Sequence, residues 1–594
     1  MAPVREAGEL EDDVPRSMTG SNAPAEYSLD ESDPGVATNE STAGAVDEPA
    51  NSAATTGSTS GVARNSSIMA LGSLISRVTG FARTAVIGAA LGAAVVGDSY
   101  QVSNTLPNMV YELLIGGVLA SVVVPLLVGA RRDPDGGEAY VQRLLSLSVL
   151  LLGAATILAV LAAPLITSLL ASGGTTDTKH LITVLAYLLL PELFFYGVAA
   201  LLGAVLNTRG HFAAPMWAPI VNNLIVIATA GIFMALPGPA FPTPSTITAD
   251  QILVLGLGTT FGVVVQAAIL WPALRAVGFR WKWRFDFRNG NFAEAGKMAS
   301  WMLCYVGVSQ LGVFAVMALA TRAGQHGGPG PAVYNAANLM FMMMHGIIAV
   351  SIITALLPRM SAAAADNKLS DVANQLSFGI RLSSVVLMPA TAAYIALGTP
   401  IAVAAFQWGN FSSERAHNTG IAIIAVALGL VPFAVSQLQT FAFYAMRDTK
   451  TPALINIPVV AVRIGVDLLL YFSLPEKYIV VGLMIGNAVS YVVAAVLLTM
   501  AMRRRLGDLH FGRILQTLTR LGIASVAAGL IAWGLAYSCT NLIGGGKVGG
   551  LAALVIGGTA LVVAFAAAAV VLRVTEVAQL IQTISRKFGL RRGL

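Results

Sequence analysis

The residues that bear most directly on chemistry are the few ionisable ones inside long apolar stretches: Arg77, Arg83, Asp98, Glu112, Glu192, Arg463 and Asp467. A charge at bilayer depth costs about 2.5 kcal/mol or more on insertion scales, so it is kept for a task or a partner. Ser73, Arg77, Gly80 and Thr84 fall on one helical face, overlapped by Ser76, Gly80 and Arg83. A small, polar and basic stripe on an otherwise apolar helix predicts that this face borders a watery cavity. Gly72, Gly80 and Gly88 allow close packing or bending there. Arg83 lies some fifteen residues into its segment, roughly 22 Å at 1.5 Å per residue, too deep for easy snorkelling.

The next segment carries Gln101, Ser103, Asn104, Asn108, Tyr111 and Glu112 around Pro107, the composition of a broken or kinked helix lining a cavity. Arg463 and Asp467 stand one turn apart, which predicts an ion pair. A cation or proton site at Asp467 is the alternative, electrostatically poor beside an arginine. Glu192 follows Pro191 and either caps a helix break or lines the cavity. Catalysis has no such footprint. There is no phosphate loop, zinc-protease helix or nucleophile elbow. The six histidines are scattered mostly through loops, and Cys304 and Cys539 stand too far apart in sequence for metal spacing. No catalytic residue, metal or cofactor is expected, and an ATP-driven pump is disfavoured.

The elements that position these residues follow from hydropathy. Of 594 residues, 11% are charged and 56% hydrophobic, where a soluble protein carries about 25% charge, and the mean hydropathy is +0.74. So much apolar surface needs lipid as its solvent. Fourteen segments are long enough to span a bilayer, near 68–90, 101–129, 144–171, 181–206, 215–236, 251–274, 298–321, 333–357, 378–398, 419–445, 452–474, 478–501, 516–538 and 549–572. Alternate loops between them carry nineteen Lys and Arg on one side and five on the other. That asymmetry places both termini in the cytoplasm.

Residues 1–60 hold twelve acids against Arg5 and Arg16, a net −10, so the remaining 534 carry 34 basic and 18 acidic side chains, +16. The basic balance sits between apolar segments and reflects membrane topology, not nucleic acid. Residues 1–63 are predicted to be a disordered acidic tail. They lack the basic start and apolar core of a signal peptide. A weak internal repeat also shows: Asn108, Gly116 and Ser121 recur as Asn338, Gly346 and Ser351, and Arg209 and Pro215 are echoed by Arg447 and Pro452. The expected architecture is an all-α polytopic membrane protein with two six-helix lobes of shared orientation, 64–290 and 291–505. Two further helices occupy 506–573, and a basic tail, 574–594, lies along anionic inner headgroups.

Five motifs carry a family resemblance: SRVTGFART (76–84), GDSYQVSNTLPN (97–108), LNTRGHFAAPMWAPIVNN (206–223), FQWGNFSSERA (406–416) and FYAMRDTKTP (443–452). Over about residues 64–573 the chain resembles the lipid II flippases, MurJ/MviN, of the multidrug/oligosaccharidyl-lipid/polysaccharide exporter superfamily. The resemblance implies export of the undecaprenyl-pyrophosphate-linked peptidoglycan precursor across the bacterial cytoplasmic membrane by alternating access. It also implies a cationic cavity between lobes, a lipid-tail groove at the last two helices, and cell-wall synthesis or division proteins as partners beside membrane lipids.

By matching motif positions, Arg77, Arg83 and Asp98 fall on the family's cavity charges, with Ser76 and Asn108 beside them as substrate-contact candidates. Two guanidinium groups can engage a pyrophosphate bidentately, and Asp98 could pair with an arginine in one state and release it in the other. Glu112, Glu192, Arg463 and Asp467 are candidates for cavity or coupling roles. The chain also departs from the pattern. Tyr111 and Glu112 stand where family members often carry two arginines, and Leu339 and Met342 replace an arginine and a glutamate. The C-terminal lobe is therefore expected to lack its usual charge, so that substrate contact leans on the N-terminal lobe, with Met342, Met343 and Met344 serving as packing. The competing readings are a flippase for another undecaprenyl-linked saccharide, a cationic-drug exporter, which would want acids in its cavity, and a non-transporting cell-wall scaffold.

Overall fold

The computed structural model describes residues 54–112, 138–239, 241–284, 293–507, 511–574 and 577. The acidic tail up to residue 53, most of the basic tail 574–594, Gly116, Ser121 and the second half of span two lie outside the described residues. The chain divides into two units, residues 1–60 and 61–594, and the candidate site belongs to the second.

Seventeen α-helices are described. They are α1 (Ala54–Leu91), α2 (Val95–Glu112), α3 (Glu138–Leu170), α4 (Thr176–Leu189), α5 (Glu192–Thr208), α6 (Ala213–Ala235), α7 (Ala249–Ala268) and α8 (Leu270–Ala276). They continue as α9 (Ala293–Gln325), α10 (Pro331–Ala365), α11 (Leu369–Phe406), α12 (Ser413–Ala427), α13 (Leu430–Ala445), α14 (Lys450–Ser473), α15 (Ile479–Leu506), α16 (Phe511–Ile543) and α17 (Lys547–Val571). Twelve spans are long and apolar enough to cross a membrane, and the pair α12–α13, bent by 49°, makes a thirteenth. These match thirteen of the fourteen expected segments. The remaining one begins on α2 and runs out of the described residues.

Local chemistry sets the helix ends. Thr248 and Gln251 form a reciprocal capping box at the start of α7. Ser412 caps α12 by accepting from the backbone N–H of Arg415 at 3.2 Å. Pro191 separates α4 from α5 and leaves Glu192 in the first turn of α5, where a carboxylate meets the positive end of the helix dipole.

Packing follows the logic of a lipid-solvated protein, with small and polar residues between helices and large aliphatic ones facing out. Leu158, Leu161 and Leu165 of α3 and Val555, Val562 and Val563 of α17 are exposed, as lipid-facing side chains should be. One core joins Ile87 and Leu91 of α1 to α2, α4, α6 and α7. A larger one joins α2 through Val102 and Leu106 to α9 through α13 and α15. Helices α16 and α17 pack on each other and on α11. Thus α2 touches both early and late helices, and it carries two of the candidate charges.

Candidate functional site

At one end of the bundle Asp98 lies in the first turn of α2, buried to 6% exposure. Its Oδ1 accepts the backbone N–H of Ala332 at 2.8 Å. Helix α10 starts at Pro331 with Gly330 as N-cap and no side-chain cap of its own, so Asp98 caps it from across the fold. A methyl group on Gly330 would overlap the Asp98 carboxylate, which explains glycine there. Arg415 of α12 holds the same loop by donating to the carbonyls of Gly327, at 3.3 Å, and Gly328. Asn335 of α10 donates to Gln101 of α2 at 3.2 Å.

A second strap lies nearby: Asn410, between α11 and α12, donates its backbone N–H to Ala89 O at 2.8 Å and its side-chain amide to Ala90 O at 2.9 Å. Gly92 and Gly409, at φ +72° and +54°, permit that close approach. The reading that Asp98 pairs with a cavity arginine is therefore not what this conformation shows; its partner is a helix N-terminus.

Deeper along α1 stand the two arginines. Arg83 Nη1 donates to Asn223 Oδ1 of α6 at 3.4 Å, and Asn223 in turn donates to Ser76 O at 3.3 Å and Thr79 Oγ1 at 3.1 Å. Ser76 thus contributes its carbonyl to positioning Asn223. Glu192 and Tyr196 of α5 lie within electrostatic range of Arg83. Glu192 is fully buried, accepting only a 3.3 Å bond from Thr260, with Oε2 unpartnered among the described residues. Of the two earlier readings, it sits at the helix break and belongs to the Arg83 cluster as well. Arg77, half-buried, reaches across to α10, and a methyl on Gly346 would overlap its guanidinium. His345, beside Gly346, is buried against Phe433 at 4.4 Å with Nδ1 unpartnered. Asn108 donates to Asn104 O at 2.8 Å, within its own helix.

A third group surrounds a cavity of about 310 Å³ between α2, α9, α10, α13, α14 and α15. Glu112 enters it from α2 and accepts from Gln310 Nε2 of α9 at 2.6 Å. Arg463 lines it from α14, donating to Tyr334 OH at 3.2 Å, which also receives Asn487 at 2.7 Å. The expected Arg463–Asp467 pair is present at 3.9 Å, with Asp467 fully buried and both its carboxylate oxygens without a hydrogen bond among the described residues. Arg463 supplies a cation to this cavity even though Leu339 and Met342 occupy the positions where charge was sought, and Met342 lines the cavity as well as packing.

The structure therefore brings Arg83, Ser76 and Glu192 together, and separately Glu112 and Arg463. Asp98 stands apart from both groups. Sequence reasoning missed Asn223, Gln310 and Tyr334. Asn223 ends a quoted motif and carried a signal; the other two are polar residues in ordinary apolar context.

Long apolar helices around buried charges define a polytopic membrane protein. A family model described as lipid II flippase MurJ matches residues 87–546, and the chain belongs to that family. A probable lipid II flippase MurJ of Haemophilus influenzae is 26% identical over 479 residues, 77% of this chain and 90% of that protein. Lipid II flippase MurJ of Burkholderia cenocepacia is 26% identical over 77% of this chain and 87% of its own length. Among solved structures, a lipid II flippase MurJ in an inward closed conformation superposes with a TM-score of 0.63 at 19% identity, covering 83% of this chain and 98% of that one. An inward-facing MATE transporter of the MOP superfamily gives 0.59 at 15% identity, over 73% and 95%. At these identities the structural matches establish the fold.

Proposed function

We propose that this chain carries lipid II from the inner to the outer leaflet of the cytoplasmic membrane by alternating access, as its family membership supports, and that it is a transporter rather than an enzyme. Helices in 64–290 and in 291–505 act as two lobes that rock about the central charges. Arg77 and Arg83 hold the pyrophosphate, since a guanidinium offers paired donors to phosphate oxygens. The observation that carries this is the set of charged groups inside the bundle with little hydrogen bonding of their own: Arg83 donates to Asn223 at a long 3.4 Å, and Glu192, Arg463 and Asp467 keep atoms without a hydrogen bond among the described residues. Such buried groups cost free energy unless a ligand or a second state satisfies them.

The end held by Asp98 and Asn410 is the outer one on the charge asymmetry of the loops, which puts both termini inside. With that end closed, the headgroup enters from the cytoplasm. Release outside requires Asp98 to leave the N-terminus of α10. An inside-negative potential favours outward movement of the anionic headgroup by about 2.3 kcal/mol per charge per 100 mV. The isoprenoid tail lies against α16 and α17, where a cavity of about 340 Å³ is walled by Ile395, Val403, Trp533 and Ala536 among others.

The test is complementation: cells depleted of their own lipid II flippase receive the wild-type chain, R77A or R83A. Wild type restores growth and externalised lipid II and each variant does not. Full rescue by both variants sinks the site assignment.

A further inference from the structure

We propose that the cavity of about 310 Å³ between α2, α9, α13, α14 and α15 is a saccharide subsite, which takes the amino-sugar part of a lipid-linked substrate while the α1 arginines take its diphosphate. This rests on the flippase reading and goes beyond it by assigning a second, chemically different half to the site.

The lining is unlike a phosphate site. Its wall carries the amides of Gln310, Gln437 and Asn456, the hydroxyls of Ser309, Ser436 and Ser490, and the rings of Tyr305, Phe433 and Tyr491. Arg463 and Glu112 are the one cation and the one acid of this lining, and Val306, Val313, Met342, Val459, Val460 and Ala494 fill out the rest. Uncharged donors and acceptors alternating with aromatic faces match a sugar, whose hydroxyls and N-acetyl groups need both hydrogen-bond senses while its C–H face packs on rings. The volume falls at the lower end of small-molecule sites, about 300–1,000 Å³, enough for one sugar unit and its substituent.

Three features show that the wall is fixed and yet has capacity to spare. Asn456 is locked by donating to Tyr305 O at 2.9 Å and Ser309 Oγ at 2.8 Å. Phe433 and Tyr491 hold each other at 4.5 Å, and Tyr491 stacks on Phe341. Gln310, buried to 5%, spends its Nε2 on Glu112 but leaves Oε1 unpartnered. A buried acceptor with no donor among the described residues is costly, and turning the Gln310 amide toward an occupant of the cavity relieves that cost. The Gln310–Glu112 bond also links α9 to α2, so an occupant here feels both halves of the fold. Glu112 then has a task of its own, accepting from sugar hydroxyls.

The experiment measures binding of two probes to the full-length chain in detergent: undecaprenyl pyrophosphate, which has no sugar, and lipid II. The variants are Q310A and, at the half-buried rim where folding is less at risk, Q437L. Loss of one or two hydrogen bonds to a buried partner predicts lipid II binding weaker by about tenfold in each variant, with undecaprenyl pyrophosphate unchanged within about twofold. Equal loss for both probes, or no loss for either, overturns the subsite. Binding of neither probe by the wild-type chain overturns the flippase reading, and the subsite with it. Binding of undecaprenyl pyrophosphate and lipid II with equal affinity by the wild-type chain overturns the subsite alone.

Discussion

The two ends of α1 and α2 are built on opposite principles. At the Asp98 end, hydrogen bonds run mostly from side chain to backbone or from backbone to backbone: Asp98 to Ala332 N, Asn410 to Ala89 O and Ala90 O, Arg415 to the Gly327 and Gly328 carbonyls. Inside the bundle, bulky charged groups are held loosely: Arg83 by a long 3.4 Å bond to Asn223 and by Tyr196, Glu192 by a 3.3 Å bond from Thr260, and Asp467 by its 3.9 Å ion pair with Arg463, with no hydrogen bond among the described residues. Satisfied backbone caps make a seam that either forms or does not. Under-partnered charges make a site whose energy depends on what enters. A transporter needs both, and α2 carries Asp98 of the seam in its first turn and Glu112 of the cavity about 21 Å further along.

The sharpest way to break this contrast is to remove the cations inside the bundle. R77A or R83A deletes a charge-assisted pair worth about 1.5–3 kcal/mol. Lipid II affinity should fall by roughly ten- to a hundredfold in an equilibrium binding assay, with no change in which end of the bundle is closed. The next largest effect comes from G346A, whose methyl displaces the Arg77 guanidinium. The guanidinium is the far end of a flexible, half-buried side chain and can swing aside, so G346A should lower the flipping rate while the melting temperature stays close to wild type.

The seam itself responds to D98A, which uncaps α10 at about 1–2 kcal/mol. The population closed at that end should drop by roughly 5–30-fold relative to the open one, read as a longer spin-label distance between the α1–α2 turn and the α9–α10 loop. N410A removes one side-chain bond while keeping the backbone bond to Ala89. The same distance should shift least, by about 1 kcal/mol or roughly fivefold in population. If R83A opened the seam and D98A abolished binding, the division between closure and recognition would be wrong.

Much of this was legible in the residues. The apolar segments announced an all-helical membrane protein, and the depth of Arg77 and Arg83 marked α1. The i,i+4 spacing announced the Arg463–Asp467 pair, and Pro191 announced the break at Glu192. What stayed hidden depends on distance in sequence. The partner of Asp98 is a backbone N–H 234 residues away, and every residue has a backbone, so no pattern reveals it. Gly346 registered only as a repeat echo, because its meaning lies in the Arg77 side chain that crosses to it. Arg463 was marked by its depth in an apolar segment, but the cavity it shares with Glu112 of α2 was not. The bend between α12 and α13 was also unannounced, since Leu428 and Gly429 sit in an unbroken apolar run.

The central claim is that α1 arginines carry an anionic lipid headgroup through a bundle closed at the Asp98 end. Proteoliposomes holding the purified chain and fluorescent lipid II measure this directly, by the rate at which an external quencher reaches the label. Wild-type chain should flip the lipid, and R77Q/R83Q should fall to the rate of empty vesicles while retaining the wild-type melting temperature. Flipping by the double variant at the wild-type rate would contradict the account.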